Sequence, residues 1–118
     1  MIIKQFYTKV AGITFDNIQE YIPNIHALDS LTAVFEPENP YDPNAIALYH
    51  KDKKIGYMPR NIAKTLSSDY DLLIKVSTIT GDGDKAYGCN IFVSVDDKLK
   101  PQSRQFTQQA IIDQIFTL

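Results

Sequence analysis

Two runs, DLLIKVSTIT (residues 71–80) and AYGCNIFVSV (residues 86–95), flank the short segment GDGDK. Both are rich in β-branched and aromatic side chains, which fit a pleated surface better than a helix. The glycine–aspartate segment between them supplies the turn chemistry of a hairpin. A pair of long strands needs partners to cover its apolar face, so the rest of the chain must supply more sheet. It offers four further runs: IIKQFYTKVAGITF (2–15), with Gly12 marking a bulge or bend, LTAVFEP (31–37), NAIALY (44–49) and KIGYM (54–58). NAIALY and KIGYM flank HKDK and read as a second hairpin.

Helical signals are few. Residues 16–30 are polar and irregular with Pro23 inside, and read as a loop with one helical turn. Pro59 suits the first turn of a short helix, behind which Ile62, Ala63 and Leu66 fall at helical spacing. Ser103 is an N-cap candidate for a last amphipathic helix over about 103–117, striped by Phe106, Ala110, Ile111 and Ile115. The expected fold is mainly β with two helices (α+β). It is a small, partly open, six-stranded barrel of the oligonucleotide-binding type, with an open α+β sheet as the other arrangement.

The chain has 118 residues, enough for one domain, 1–118, with one core. No apolar run reaches membrane-spanning length. The first residues alternate like a strand rather than a signal peptide. A single cysteine, Cys89, excludes an internal disulfide and any cysteine-based zinc site, and places the expected location in the cytoplasm. The formal net charge is −2. A domain that coats long nucleic acid is usually basic, so any nucleic-acid contact here should engage few phosphates.

The loop ENPYDPNA, residues 38–45, carries more chemistry than a turn needs. Pro40 and Pro43 fix φ and push Asn39 and Asp42 toward extended geometry. Tyr41 and Asp42 are thereby presented in a defined pose.

The stretch VFEPENPYDPNAIALYHKDKKIGYMPRNIAKTLS, residues 34–67, resembles the HIRAN domain. The matching positions are Asn39, Pro40, Tyr41, Asp42, Asn44, Ala45 and Ile46, then Gly56, Tyr57, Met58, Pro59, Arg60, Ile62 and Ala63. VAGITF resembles the family's first strand, and the likeness covers about residues 6–95. The resemblance implies a modified oligonucleotide-binding barrel without catalytic activity or cofactor. The family occurs alone in bacterial proteins and fused to SWI/SNF-type ATPases. In the fused proteins it binds the 3′-hydroxyl end of single-stranded DNA and assists fork regression. Single-stranded DNA is therefore the expected partner, with a DNA-processing ATPase acting in trans as a second. The chain contains no phosphate-binding loop of the G-x-x-x-x-G-K-[ST] type, so ATPase activity is not carried over.

The expected nucleic-acid-binding residues are Phe15, Asn39, Tyr41, Asp42, Tyr57, Arg60, Lys64 and Phe92. A carboxylate repels phosphate, so Asp42 suits a DNA site if it accepts a hydrogen bond from a terminal sugar hydroxyl. The structural alternative is an Asx-turn with Asn44. Tyr41 suits stacking on the terminal base, and Phe15 and Phe92 suit stacking or core packing. Arg60 is the best phosphate ligand, at the start of a helix whose free N–H groups favour an anion. Lys64 lies one turn on, and Tyr57 can bond phosphate or stack. Lys51, Lys53 and Lys54 read as a solvated hairpin tip. Thr14 stands where the resemblance places an arginine in some fused eukaryotic members, which removes one charged contact.

Two other function classes fit less well. A protein-interaction adaptor would use the net acidity and the last helix. A metal-dependent nuclease would need Glu36, Glu38 and Asp42 as a cage, and a proline-stiffened turn is a poor one. His26 and His50 lie in unlike contexts, an irregular loop and a strand end.

Overall fold

The computed structural model describes residues 1–13, 16–82 and 84–97. The helix expected over 103–117, with Thr14 and Phe15, lies outside the described residues. The elements are β1 (Ile2–Lys9), α1 (Asp16–Tyr21), β2 (Ser30–Phe35), β3 (Ile46–His50), β4 (Lys53–Tyr57), α2 (Arg60–Ala63), β5 (Asp71–Thr80) and β6 (Gly88–Asp96). A 3-10 turn, Ile22–Asn24, follows α1.

The six strands form one antiparallel sheet in the order β1-β6-β5-β2-β3-β4. β2 turns the corner. Its start pairs with β5 through Ser30–Lys75 and Leu31–Ile74. Its remainder pairs with β3 through Thr32–Tyr49, Ala33–Leu48, Val34–Ala47 and Phe35–Ile46. Sharing one strand between two partners curls the sheet. Among the described residues the two edges pair at one place, where Ala11 and Tyr57 exchange backbone hydrogen bonds of 2.8 and 2.9 Å. The result is a curled sheet rather than a closed barrel.

That contact explains where the first strand stops. Residues 2–15 read as one continuous strand, yet β1 ends at Lys9. Val10 still donates to Cys89 of β6 at 2.9 Å, but Ala11 has changed partner to Tyr57. Gly12, with φ of +78°, then bends the chain away. The loop expected over 16–30 carries α1 and the 3-10 turn, which bury Ile18, Ile22 and Ile25. These join Ile46, Leu48, Ile55, Ile74, Val76, Ile91, Val93 and Val95 in a single core. Burying such side chains contributes about 1.5–3 kcal/mol each before chain entropy is charged against it.

The two histidines share a partner. His50 is buried, and its Nε2 lies 2.9 Å from Asp29 Oδ2. A carboxylate only accepts, so Nε2 donates, and Nδ1 is hydrogen-bonded to the Tyr21 hydroxyl at 2.6 Å. The His26 backbone N–H donates to the same Asp29 oxygen at 2.9 Å. This N–H and then His50 hold the Asp29 carboxyl below its ordinary range. The chain ties α1 to the end of β3. Cys89 is also buried, which pushes its thiol up to about 11.

Gly56 lets the sheet edges meet. A Cβ there would collide with the Ala11 carbonyl oxygen, Val10 Cγ1 and Ile13 Cγ2. Backbone cannot move aside as a flexible side chain can, so Gly56→Ala should destabilise the fold by about 2 kcal/mol. Urea denaturation should show a lower midpoint at an unchanged slope. A midpoint equal to wild type would show that the edges are not packed as described.

Candidate nucleic-acid interface

The ENPYDPNA loop is built from hydrogen bonds that its own side chains supply. Asn39 Oδ1 accepts from the backbone N–H groups of Tyr41 and Asp42, at 2.9 and 3.1 Å. Asp42 Oδ1 accepts from the Asn44 N–H at 2.9 Å, and Ala45 N–H closes on the Asp42 carbonyl at 3.0 Å. Two consecutive Asx-turns thus satisfy donors that the neighbouring prolines leave without strand partners. Below the loop, Asn39 Nδ2 donates to Glu36 Oε1 at 2.9 Å.

Glu36 anchors the arrangement from beneath. Lys54 Nζ donates to Glu36 Oε2 at 3.2 Å and to the Tyr57 hydroxyl at 3.1 Å, and that hydroxyl donates to Glu36 Oε1 at 3.2 Å. Lys54 Nζ also lies 5.1 Å from the centre of the Tyr57 ring. Lys54 is therefore a brace for the loop, not a solvated tip residue.

The loop and the end of β4 enclose a cleft of about 310 Å³, lined by Ala11, Asn39, Tyr41, Asp42, Ala45, Tyr57, Met58 and Arg60. Tyr41 is 88% exposed on its rim. Arg60 Nε lies 3.4 Å from Asp42 Oδ2, and Arg60 Nη2 donates to the Tyr41 carbonyl at 3.1 Å. Asp42 and Arg60 also border a larger hollow, of about 550 Å³, with Asn44, Asn61 and Lys64.

Five of the expected residues, Asn39, Tyr41, Asp42, Tyr57 and Arg60, thus meet in one cleft, with Lys64 beside it. The structure sets Phe92 elsewhere. It pairs with Tyr7 across β1–β6, their ring centres 5.1 Å apart, and does not line the cleft. Its neighbours Ile91 and Val93 are the buried ones, so Phe92 points from the other face of β6. The helix behind Pro59 is also shorter than its sequence suggests, only Arg60–Ala63. The Pro59 carbonyl takes the N–H groups of Ile62 and Ala63. A single helical turn carries little dipole, so the Arg60 side chain is the main candidate ligand for an anion here. Sequence reasoning missed Ala11, Met58, Glu36 and Lys54. Glu36 and Lys54 meet only through the β2–β3–β4 register, which no local motif encodes.

Among the described residues, no three His, Cys, Asp or Glu side chains converge as metal ligands, and no helix is long and apolar enough to cross a membrane.

A curled six-stranded sheet with a polar, aromatic cleft at its seam defines an oligonucleotide-binding-like module. A family model of the HIRAN domain matches residues 3–96, and the chain belongs to that family of nucleic-acid-binding modules. The crystal structure of the HIRAN domain of human HLTF superposes with a TM-score of 0.63 at 16% identity, over 82% of this chain and 78% of that one. No curated protein matches the sequence.

The brace beneath the loop makes a pH prediction. Asn39 first, then Lys54 and Tyr57, hold the Glu36 carboxyl below its ordinary value. Tyr57 and then Glu36 hold Lys54 above its own. A depressed carboxyl stabilises fully above the unfolded-chain glutamate value, and this is lost as pH falls through the lowered folded value. A raised ammonium stabilises fully below the unfolded-chain lysine value, and this is lost as pH rises through the raised one. The brace is thus at full strength across neutral pH. Carbon-13 NMR should find the Glu36 carboxyl titrating below unfolded-chain glutamate, and Lys54→Ala should move that midpoint upward. An ordinary midpoint unaffected by Lys54→Ala would contradict the brace.

Proposed function

We propose that this chain is a non-catalytic module that recognises the 3′-hydroxyl end of single-stranded DNA, as DNA repair or fork processing would require. The supporting observation is the meeting of Tyr41, Asp42, Tyr57, Asn39 and Arg60 in one cleft. The two carboxylate oxygens of Asp42 are differently engaged. Oδ1 is fixed by the Asn44 N–H, while Oδ2 faces Arg60 at 3.4 Å. Oδ2 is the acceptor for a terminal 3′-hydroxyl. A terminal phosphate would bring charge against the same oxygen and be repelled.

Arg60 is 77% exposed, so its pairing with Asp42 is weak and readily shared with a backbone phosphate. Tyr41 stacks on the last base, an interaction that tolerates any sequence. The Tyr57 ring forms the wall while its hydroxyl stays with Glu36. Lys64, in the adjacent hollow, meets the next phosphate. Phe15 completes the stack on the resemblance alone. A DNA-processing ATPase acting in trans would supply the motor that this chain lacks.

Fluorescence anisotropy with short oligonucleotides ending in 3′-hydroxyl or 3′-phosphate tests the reading. The hydroxyl end should bind roughly tenfold tighter, the scale of one charge-assisted hydrogen bond. Asp42→Asn keeps an oxygen for the Asn44 N–H, so the loop should survive while the preference collapses. Arg60→Ala should weaken both ends alike and lower the salt slope by about one. Equal affinity for the two ends in the wild type would defeat end recognition. No DNA binding, together with stable capture of a protein partner, would favour the adaptor reading.

A further inference from the structure

The cleft is continuous with a second aromatic surface. Along the end of β1, exposed Tyr7, Lys9 and Ala11 alternate with the inward residues Phe6, Thr8 and Val10. Ala11 lines the cleft. Tyr7 lies four residues earlier on the same face, roughly 13 Å away at about 3.3 Å per residue. It is 72% exposed. Its ring meets Phe92 at 5.1 Å between centres, and the row continues from Phe92 to Lys75 and then Ser30. Lys9 stands one step nearer the cleft, opposite Asn90. The rows of Tyr7 and Lys9 hold no carboxylate. Among the described strand residues, acidic side chains enter this face at the far end of the sheet, where Asp71 and Asp96 pair.

We propose that this face is a track for the single strand leaving the cleft. Tyr7, backed by Phe92, is a second stacking platform, and Lys9 and Lys75 meet the phosphates to either side. The charge argues for this occupant. A chain of net charge −2 has set two lysines beside an exposed aromatic pair and kept carboxylates out of those rows. Stacking rings flanked by cations suit a single-stranded polyanion. The direction assigned to the strand rests on the cleft holding its 3′ end.

The test is a length series of 5′-labelled oligothymidylates with 3′-hydroxyl or 3′-phosphate ends, measured with the full chain. Wild-type affinity should rise with length once the strand reaches Tyr7. Tyr7→Ala should remove that rise, binding the longest oligonucleotide roughly tenfold more weakly. The shortest oligonucleotide and the end preference should be unchanged. Lys9→Gln with Lys75→Gln should flatten the salt dependence of the long oligonucleotide only. Tyr7 is exposed, and thermal melting will confirm that its truncation leaves the fold intact.

A Tyr7→Ala length series that parallels wild type would overturn the track, as would equal weakening at every length. Loss of end preference with the length effect retained would defeat the cleft reading and leave the track standing. If the wild type binds no oligonucleotide, the track falls. If Tyr7→Ala then abolishes a concentration-dependent self-association, the face belongs to a second copy of the chain.

Discussion

Two backbone hydrogen bonds between Ala11 and Tyr57 hold the opposite edges of the sheet together. An edge strand otherwise presents unpaired N–H and C=O groups that invite other chains. Here one residue pair closes the seam, and Gly56 lets the backbones approach because it has no Cβ to obstruct Ala11. A longer ladder would make a closed barrel and fill the mouth with backbone. A single bridge pulls the edges together yet leaves the rim open. Ala11 and Tyr57 are themselves walls of the cleft, so the site is shaped by the way the fold closes.

Much of this sheet is legible from local chemistry. The β5–β6 hairpin follows from two β-branched runs around a glycine–aspartate turn, and β3–β4 from the same logic around HKDK. Gly12 marks a bend, as its positive φ shows. Legibility fails where one element's extent depends on a distant one. Nothing near Lys9 says that β1 stops there, because the cause is a partner nearly fifty residues away in sequence. The face of Phe92 fails for a related reason. In a strand as apolar as NIFVSV either register is plausible, and a one-residue slip exchanges the two faces. The loop itself was readable because proline and asparagine act on their immediate neighbours. Glu36 and Lys54 were not, since a three-strand register brings them together.

Asp42 shows why structural and functional readings of one residue need not compete. From sequence, an Asx-turn and a hydroxyl acceptor look like alternatives. The carboxylate has two oxygens, and the turn uses one of them. A residue that shapes the loop can therefore also present chemistry from it. Tyr57 divides its labour likewise, with the hydroxyl held by Glu36 and Lys54 and the ring against the cleft.

Net acidity is a poor guide to the potential at the cleft, because some of the acids are paired or lie far from it. Glu36 is paired with Lys54 and Asp42 with Arg60. Asp96 and Asp97 gather at the Met1 end of the sheet. The bridge at Ala11 lies beside Val10, which bonds Cys89 at the opposite end of β6. Seven residues of strand put roughly 23 Å between that end and Asp96. This exceeds the screening length of about 8 Å at physiological ionic strength. The distant carboxylates therefore add little repulsion at the cleft, while Arg60 and Lys9 stand close to it. The proposed site asks for only a few phosphates at one seam, which does not require the basic surface that coats a long strand.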